Sequence, residues 1–145
     1  ENIDYFCGLY VPDKRKRKEL VEEAITFTDL NDYRKMRPKK LSGGLLRRLN
    51  IACGIAHKPR LIIMDEPFVG LDPKAAHLLK EMMHQVCDGG SAIFFSTHVL
   101  EVAEKLCDKV AIIKGGQLIR SGTMEEVKGD DSLEDVFLEL EEEKC

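Results

Sequence analysis

The stretch Leu61–Pro67 reads LIIMDEP, and it decides the fold prediction. Its first four residues, Leu61 to Met64, form a short apolar run that favours a buried strand of a parallel sheet. The carboxylates of Asp65 and Glu66 follow, and Pro67 cannot continue a strand ladder. Because ligands of open α/β sheets bind at the carboxyl ends of strands, the acidic pair is a candidate site.

Strands and helices alternate around this stretch. The apolar runs Ala92–Phe95 and Val110–Ile113 predict two further strands, and Gly115 with Gly116 predicts a tight hairpin turn rather than a phosphate site. Periodic apolar positions predict helices over most of Asn2–Leu30 and at five later starts: Ser42, Asp72, Thr97, Thr123 and Ser132. The alternation predicts an α/β fold with a parallel sheet.

The two carboxylates suit phosphoryl transfer. Asp65 can hold Mg²⁺ through its water shell, and Glu66 can orient or deprotonate an attacking water. An acidic pair after a strand is also ordinary loop chemistry, and we would favour that interpretation if the segment stood alone.

Three other segments carry polar groups at element ends. Leu41–Leu45 (LSGGL) places a hydroxyl and two glycines at a helix start, where backbone N–H groups can receive an anion, although a plain serine cap also explains it. Gly70–Pro73 (GLDP) and Ser96–His98 (STH) each have a capping explanation. His98 also follows a strand end, where an imidazole could reach a phosphate.

In this order and spacing, the segments closely resemble the ATP-binding-cassette (ABC) family. The resemblance assigns its signature motif to Leu41–Leu45, Walker B to Leu61–Asp65, the D-loop to Gly70–Pro73 and the switch histidine to His98. Four ordered motifs are far more specific than any single one, and the match extends from Glu1 to about Leu140. Two residues depart from the family's pattern. Members often have Gln at the position of Leu45, and a small polar residue is common at the position of Phe68. Neither departure replaces a charged group.

The resemblance implies a nucleotide site that two ATPase domains share head to tail, with ATP and Mg²⁺ as cofactors. It implies nucleotide contacts from six residues: Leu41, Ser42, Gly43, Gly44, Asp65 and Asp72. The signature residues would act in trans on ATP held by the other domain, and Asp72 would communicate across the dimer. Asp65 would help to bind Mg²⁺, Glu66 would be the general base and His98 would contact the γ-phosphate.

The resemblance also exposes what this sequence lacks. A phosphate-binding Walker A loop needs a Gly-Lys-Ser or Gly-Lys-Thr segment, and the sequence contains no Gly-Lys dipeptide. The family's Q-loop and adenine-stacking aromatic would precede Glu1, so we expect a truncated start and no ATPase activity from the chain alone. The family's fold places the missing strand inside the sheet, which predicts exposed apolar faces and either low stability or a recruited partner.

The charge, the apolar runs and the cysteines argue against several classes of protein. The net charge of −4 gives no general reason to bind nucleic acid, and the basic run Lys14–Lys18 is best explained as a solvated helix face. No apolar run approaches the roughly 20 residues of a membrane span, and no secretory signal is evident. Five widely spaced cysteines without a CxxC pair argue against disulfides and zinc, and favour a reducing compartment.

The resemblance therefore implies the ATPase subunit of a transporter, with a second ATPase domain and a transmembrane permease as partners. It would lie in the cytoplasm at the inner face of the cell membrane. The run Arg47–Ala52 (RRLNIA) and the segment Gln117–Leu140 look like bacterial exporter ATPases of the drug or ion type. Two alternatives stay open: a soluble ABC ATPase that acts on ribosomes or DNA, and a non-catalytic interaction fragment.

We expect three segments in a partial P-loop NTPase-type fold that lacks the Walker A strand. Residues 1–58 would belong to the helical signature subdomain, residues 59–122 to the C-terminal part of the ATPase core, and residues 123–145 to a helical tail.

Overall fold

The computed structural model describes residues 1–142, with side chains to residue 140. It contains seven α-helices and four strands in two compact units, Glu1–Ser96 and Thr97 onward. The first unit holds α1 (Asn2–Gly8), α2 (Lys14–Phe27), α3 (Gly43–Ile55), β1 (Leu61–Met64), α4 (Pro73–Asp88) and β2 (Ala92–Phe95). The second holds α5 (Leu100–Leu106), β3 (Lys109–Lys114), β4 (Gln117–Thr123), α6 (Met124–Lys128) and α7 (Leu133–Glu142). The predicted tail runs to residue 145, beyond the described residues.

The first unit combines a helical core with a two-stranded parallel sheet. Helices α1, α2 and α3 pack around a buried apolar cluster that includes Ile3, Leu20 and Ala52. Strands β1 and β2 pair in parallel, with Met64 opposite Phe95. In α4, Leu79, Met82 and Met83 are buried, so the prediction that these methionines are core residues is confirmed.

The prediction that β1 is buried is wrong for this chain. Leu61 and Ile63 are 56% and 72% exposed, and Phe94, which is opposite Ile63, is 60% exposed. Burial alternates along both strands, so one face of this small sheet is partly covered and the other lies open.

The second unit is an antiparallel hairpin with three helices. Strand β3 pairs antiparallel with β4. The turn between them contains Gly115 and Gly116, whose φ angles of 56° and 76° fold the chain directly back, and it confirms the predicted hairpin. The predicted capping box of Thr123 and Glu126 is also present.

Within residues 1–142, no helix combines the length and low polarity that crossing a bilayer requires.

Candidate functional site

The acidic pair lies at the carboxyl end of β1, as predicted, and a serine from the neighbouring strand holds it. The Ser96 hydroxyl donates to Oδ1 of Asp65 and accepts from the backbone N–H of Glu66 at 3.0 Å. The N–H of Ser96 also donates to the carbonyl of Met64 at 3.0 Å, which extends the β1–β2 pairing by one residue. One residue after β2 thus fixes both members of the pair.

Asp65 has the character of a ligand to a hard cation. Its side chain is exposed, and within residues 1–142 only Oδ1 takes part in a hydrogen bond, from Ser96. The second oxygen, Oδ2, is therefore available from solvent. Mg²⁺ prefers carboxylate and water oxygens and keeps part of its water shell, so this exposed carboxylate fits such an ion.

The loop after the acidic pair is anchored on the sheet. Pro67 is fully buried, and the ring of Phe68 lies edge-on to Phe95 with centroids 6.0 Å apart. The N–H of Val69 donates to the carbonyl of Glu66 at 3.2 Å and closes a turn. Phe68 therefore serves packing here and ties the Glu66 loop to β2.

The predicted signature segment forms the start of α3. Leu41 is half-buried, and Ser42 is the N-cap, with its hydroxyl accepting from the N–H of Leu45 at 3.3 Å. Nothing lies within 4 Å of the place where a Gly43 Cβ would stand. A bulky anion could approach the backbone there, because a helix start presents unbonded N–H groups.

The predicted D-loop forms the start of α4, next to the signature segment. Asp72 caps this helix, with Oδ1 accepting from the N–H groups of Lys74 and Ala75, each at 3.0 Å, as the sequence predicted. A Cβ on Gly44 would lie 3.2 Å from the Cβ of Ala75, so the two helix starts approach closely. The start of α4, which Asp72 of the predicted D-loop caps, thus lies next to Gly44 of the predicted signature segment.

His98 belongs to the second unit, whereas the other seven predicted site residues belong to the first. It is exposed, and it lies between Thr97 and the start of α5 at Leu100. Thr97 was predicted to cap this helix, but the N-cap is Val99, without a side-chain capping bond. The Thr97 hydroxyl instead accepts from the N–H of Val99 at 3.1 Å, which forms a tight turn around His98.

Comparison with known proteins gives consistent results. A family model described as ABC transporter matches residues 1–69. The linearmycin resistance ATP-binding protein LnrL of Bacillus subtilis is 34% identical over 123 residues, which cover 85% of this chain and 40% of that protein. A Nod factor export ATP-binding protein I of Rhizobium etli is 35% identical over 122 residues, which cover 84% of this chain and 39% of that protein. The chain thus spans about two fifths of the length of these relatives.

Solved structures agree with the sequence relatives. The structure of an ATP binding subunit of an ABC transporter aligns with a TM-score of 0.81 and 28% identity, over 96% of this chain and 62% of that one. The structure of cbiO1 from Clostridium perfringens, part of the ABC transporter complex cbiONQ, aligns with a TM-score of 0.75 and 25% identity, over 86% of this chain and 50% of that one. In its ordered motifs, its sequence relatives and its fold, the chain is similar to ABC transporter ATPase domains.

Proposed function

We propose that this chain is the C-terminal portion of the ATP-hydrolysing subunit of an ABC transporter that works as an exporter. The observation that carries the proposal is the acidic pair at the end of β1, fixed by Ser96 and open to solvent at Asp65. One relative is named for Nod factor export and another for linearmycin resistance, and these names support the export direction. In this proposal, residues 1–58 serve as signature subdomain, residues 59–122 as ATPase core and residues 123–145 as helical tail.

The two carboxylates of the acidic pair have different roles in ATP hydrolysis. Asp65 holds Mg²⁺ through its exposed carboxylate, and the ion, when bound with ATP, offsets negative charge on the phosphates. Glu66 follows directly and accepts a proton from the attacking water, as a general base must. His98, after the next strand, donates toward the γ-phosphate.

The signature segment acts on the nucleotide of a second ATPase domain. Leu41 and Ser42 shape the start of α3, and Gly43 and Gly44 let the phosphates approach its N–H groups. Asp72 lies on the neighbouring helix start, where it can respond to the same nucleotide and communicate across the dimer.

The first test compares Mg·ATP binding and hydrolysis by this 145-residue chain with those of a chain extended N-terminally to include a Walker A loop. We expect binding and turnover only from the extended form, because the principal phosphate contacts of the family lie in that loop. Turnover by the short chain that depends on Glu66 would contradict this expectation.

The second test addresses the shared site. Full-length protein with Ser42→Arg lacks a working signature, and full-length protein with Glu66→Gln lacks the base. Each variant alone should be inactive, while a mixture should regain part of the activity, since a mixed dimer holds one site with both a good base and a good signature. A mixture as inactive as its components would contradict the head-to-tail arrangement.

The remaining partner is a transmembrane permease, through which the subunit would lie at the inner face of the cell membrane. We expect the full-length protein to co-purify with membranes only when a permease is expressed with it. Equal recovery in membranes without any permease would contradict this part of the proposal.

A further inference from the structure

The Ser96 hydroxyl forms hydrogen bonds with both members of the acidic pair, although it has no need of protein groups to satisfy it. It is exposed, so water could satisfy its hydroxyl. It nevertheless donates to Oδ1 of Asp65 and accepts from the N–H of Glu66 at 3.0 Å. The backbone of Ser96 is itself held by the carbonyl of Met64 at 3.0 Å. The hydroxyl is thus a short bridge built on the end of the paired strands.

The direction of each hydrogen bond is fixed by chemistry. A hydroxyl has one proton, and an ionised carboxylate can only accept, so the Ser96 proton must point toward Asp65. Its lone pairs are then left for the Glu66 N–H. The charge of Asp65 therefore orients the group that holds the backbone of Glu66.

The backbone of Glu66 needs such support. Its φ angle is 44°, in the left-handed region that residues with a Cβ rarely adopt. This unusual angle sets the direction in which the Glu66 side chain leaves the chain, directly after Asp65. Loss of the two hydroxyl bonds of Ser96 would remove this hold on the Asp65 carboxylate and on the Glu66 N–H.

We infer that Ser96 is a positioning residue that fixes the magnesium-binding carboxylate and the general base relative to each other. The inference rests on the proposed function of Asp65 and Glu66. Ser96 acts through these two residues and does not itself contact the reacting atoms.

The test uses the full-length protein with Ser96→Ala, which removes both hydroxyl bonds, and Ser96→Thr, which keeps a hydroxyl. We expect Ser96→Ala to lower kcat about ten-fold, with a KM for ATP changed less than about two-fold, because one charge-assisted hydrogen bond is lost. Ser96→Thr should recover most of the rate.

Two readouts do not depend on turnover. In a Glu66→Gln background, where ATP is not consumed, the Mg²⁺ concentration that half-saturates ATP binding should rise about ten-fold with Ser96→Ala. Hydrogen exchange at the Glu66 amide should also become faster, because the N–H loses its acceptor.

Ser91 provides the matched control. It lies just before β2, at the opposite end of the same strand pair, and its hydroxyl donates to the carbonyl of Pro59 at 2.7 Å. Ser91→Ala therefore removes a similar bond between the same two chain segments, away from the acidic pair. We expect it to leave the Mg²⁺ dependence and the Glu66 amide exchange unchanged.

The outcomes separate the two claims. If the wild-type protein shows no Mg²⁺-dependent ATPase, or if Glu66→Gln retains it, the proposed function fails. If the wild type is active and Glu66→Gln is inactive, but Ser96→Ala keeps the normal kcat, Mg²⁺ dependence and amide exchange, the inference about Ser96 is overturned. It is equally overturned if Ser91→Ala causes the same changes or if Ser96→Thr restores none of them.

Discussion

Gly43 and Gly54 are both exposed residues of α3, and a methyl group would meet nothing within 4 Å at either position. They differ in function under the proposal, because only Gly43 lies at the helix start that would face a nucleotide. Space around a glycine therefore cannot by itself separate a structural position from a binding position. Substitution of each glycine with alanine can separate the two kinds of position.

We predict that Gly43→Ala lowers the ATPase rate of the full-length protein without lowering its stability. The added methyl group would obstruct the approach of phosphate to the backbone, but it contacts nothing in the folded chain. Gly54→Ala is the control, and it should raise the free energy of unfolding by up to about 1 kcal/mol and leave the rate unchanged. ATPase assays and urea unfolding check both. Full activity of Gly43→Ala would argue against a nucleotide contact at this position.

At the scale of single elements, the ends of α4 make opposite contributions to stability. Asp72 accepts two backbone N–H bonds at the start, whereas Asp88 is the last residue, where a negative charge opposes the helix dipole. We predict that Asp72→Ala lowers the free energy of unfolding by about 1 kcal/mol, while Asp88→Ala leaves it equal or higher. Urea denaturation measures both variants. An equal loss from both would contradict the capping role of Asp72.

Glu104 of α5 links three helices of the second unit. It accepts from Lys128 of α6 at 2.6 Å and from the N–H of Leu133, the first residue of α7, at 3.1 Å. The Lys128 ammonium, followed by the Leu133 N–H, holds the pKa of Glu104 below its ordinary value of 4.5. Because the folded pKa is the lower one, the contacts stabilise the unit fully above pH 4.5, and this stabilisation is lost as the pH falls through the folded pKa.

We therefore predict that Glu104→Gln lowers the Tm at pH 7 and reduces the further fall in Tm between about pH 5 and about pH 3. Glu101→Gln is the control, because Glu101 lies on the same helix and bonds to Lys105 at 2.6 Å in a 77% exposed position. It should change the Tm little. Circular dichroism melts at both pH values measure the effect, and an unchanged acid response in Glu104→Gln would refute this assignment.

At the scale of the whole molecule, the open face of the β1–β2 sheet dominates the expected behaviour of the 145-residue chain. Leu61, Ile63 and Phe94 form an exposed apolar patch, and such patches promote association. We predict that Ile63→Lys reduces self-association and binding of an apolar dye. Met36→Lys changes an exposed loop residue outside this patch, and it should leave self-association and dye binding unchanged. Size-exclusion chromatography measures the self-association of each variant. A wild-type chain that is monomeric at low concentration and unfolds cooperatively would contradict the prediction.

Local sequence patterns predicted the helix caps at Ser42, Asp72 and Thr123, the hairpin and the place of the acidic pair, but not the N-cap of α5. These features depend on a few adjacent residues, such as Asp72 with Pro73 or Gly115 with Gly116. The exposure of β1 depends on which distant segments pack against it, which its apolar run does not specify. Ser96 was missed for the same reason, although a pairing of the two four-residue apolar runs in register would have placed it beside Asp65.

The central claim is that Glu66 is the general base of an ATPase site formed with this chain. The most direct measurement compares ATP turnover and ATP binding in one preparation of full-length wild-type protein and of Glu66→Gln. We predict that turnover falls at least about 100-fold while the affinity for Mg·ATP stays within about two-fold, since the amide keeps the shape and cannot take the proton. Turnover that survives in Glu66→Gln would contradict the claim and assign the base to another residue.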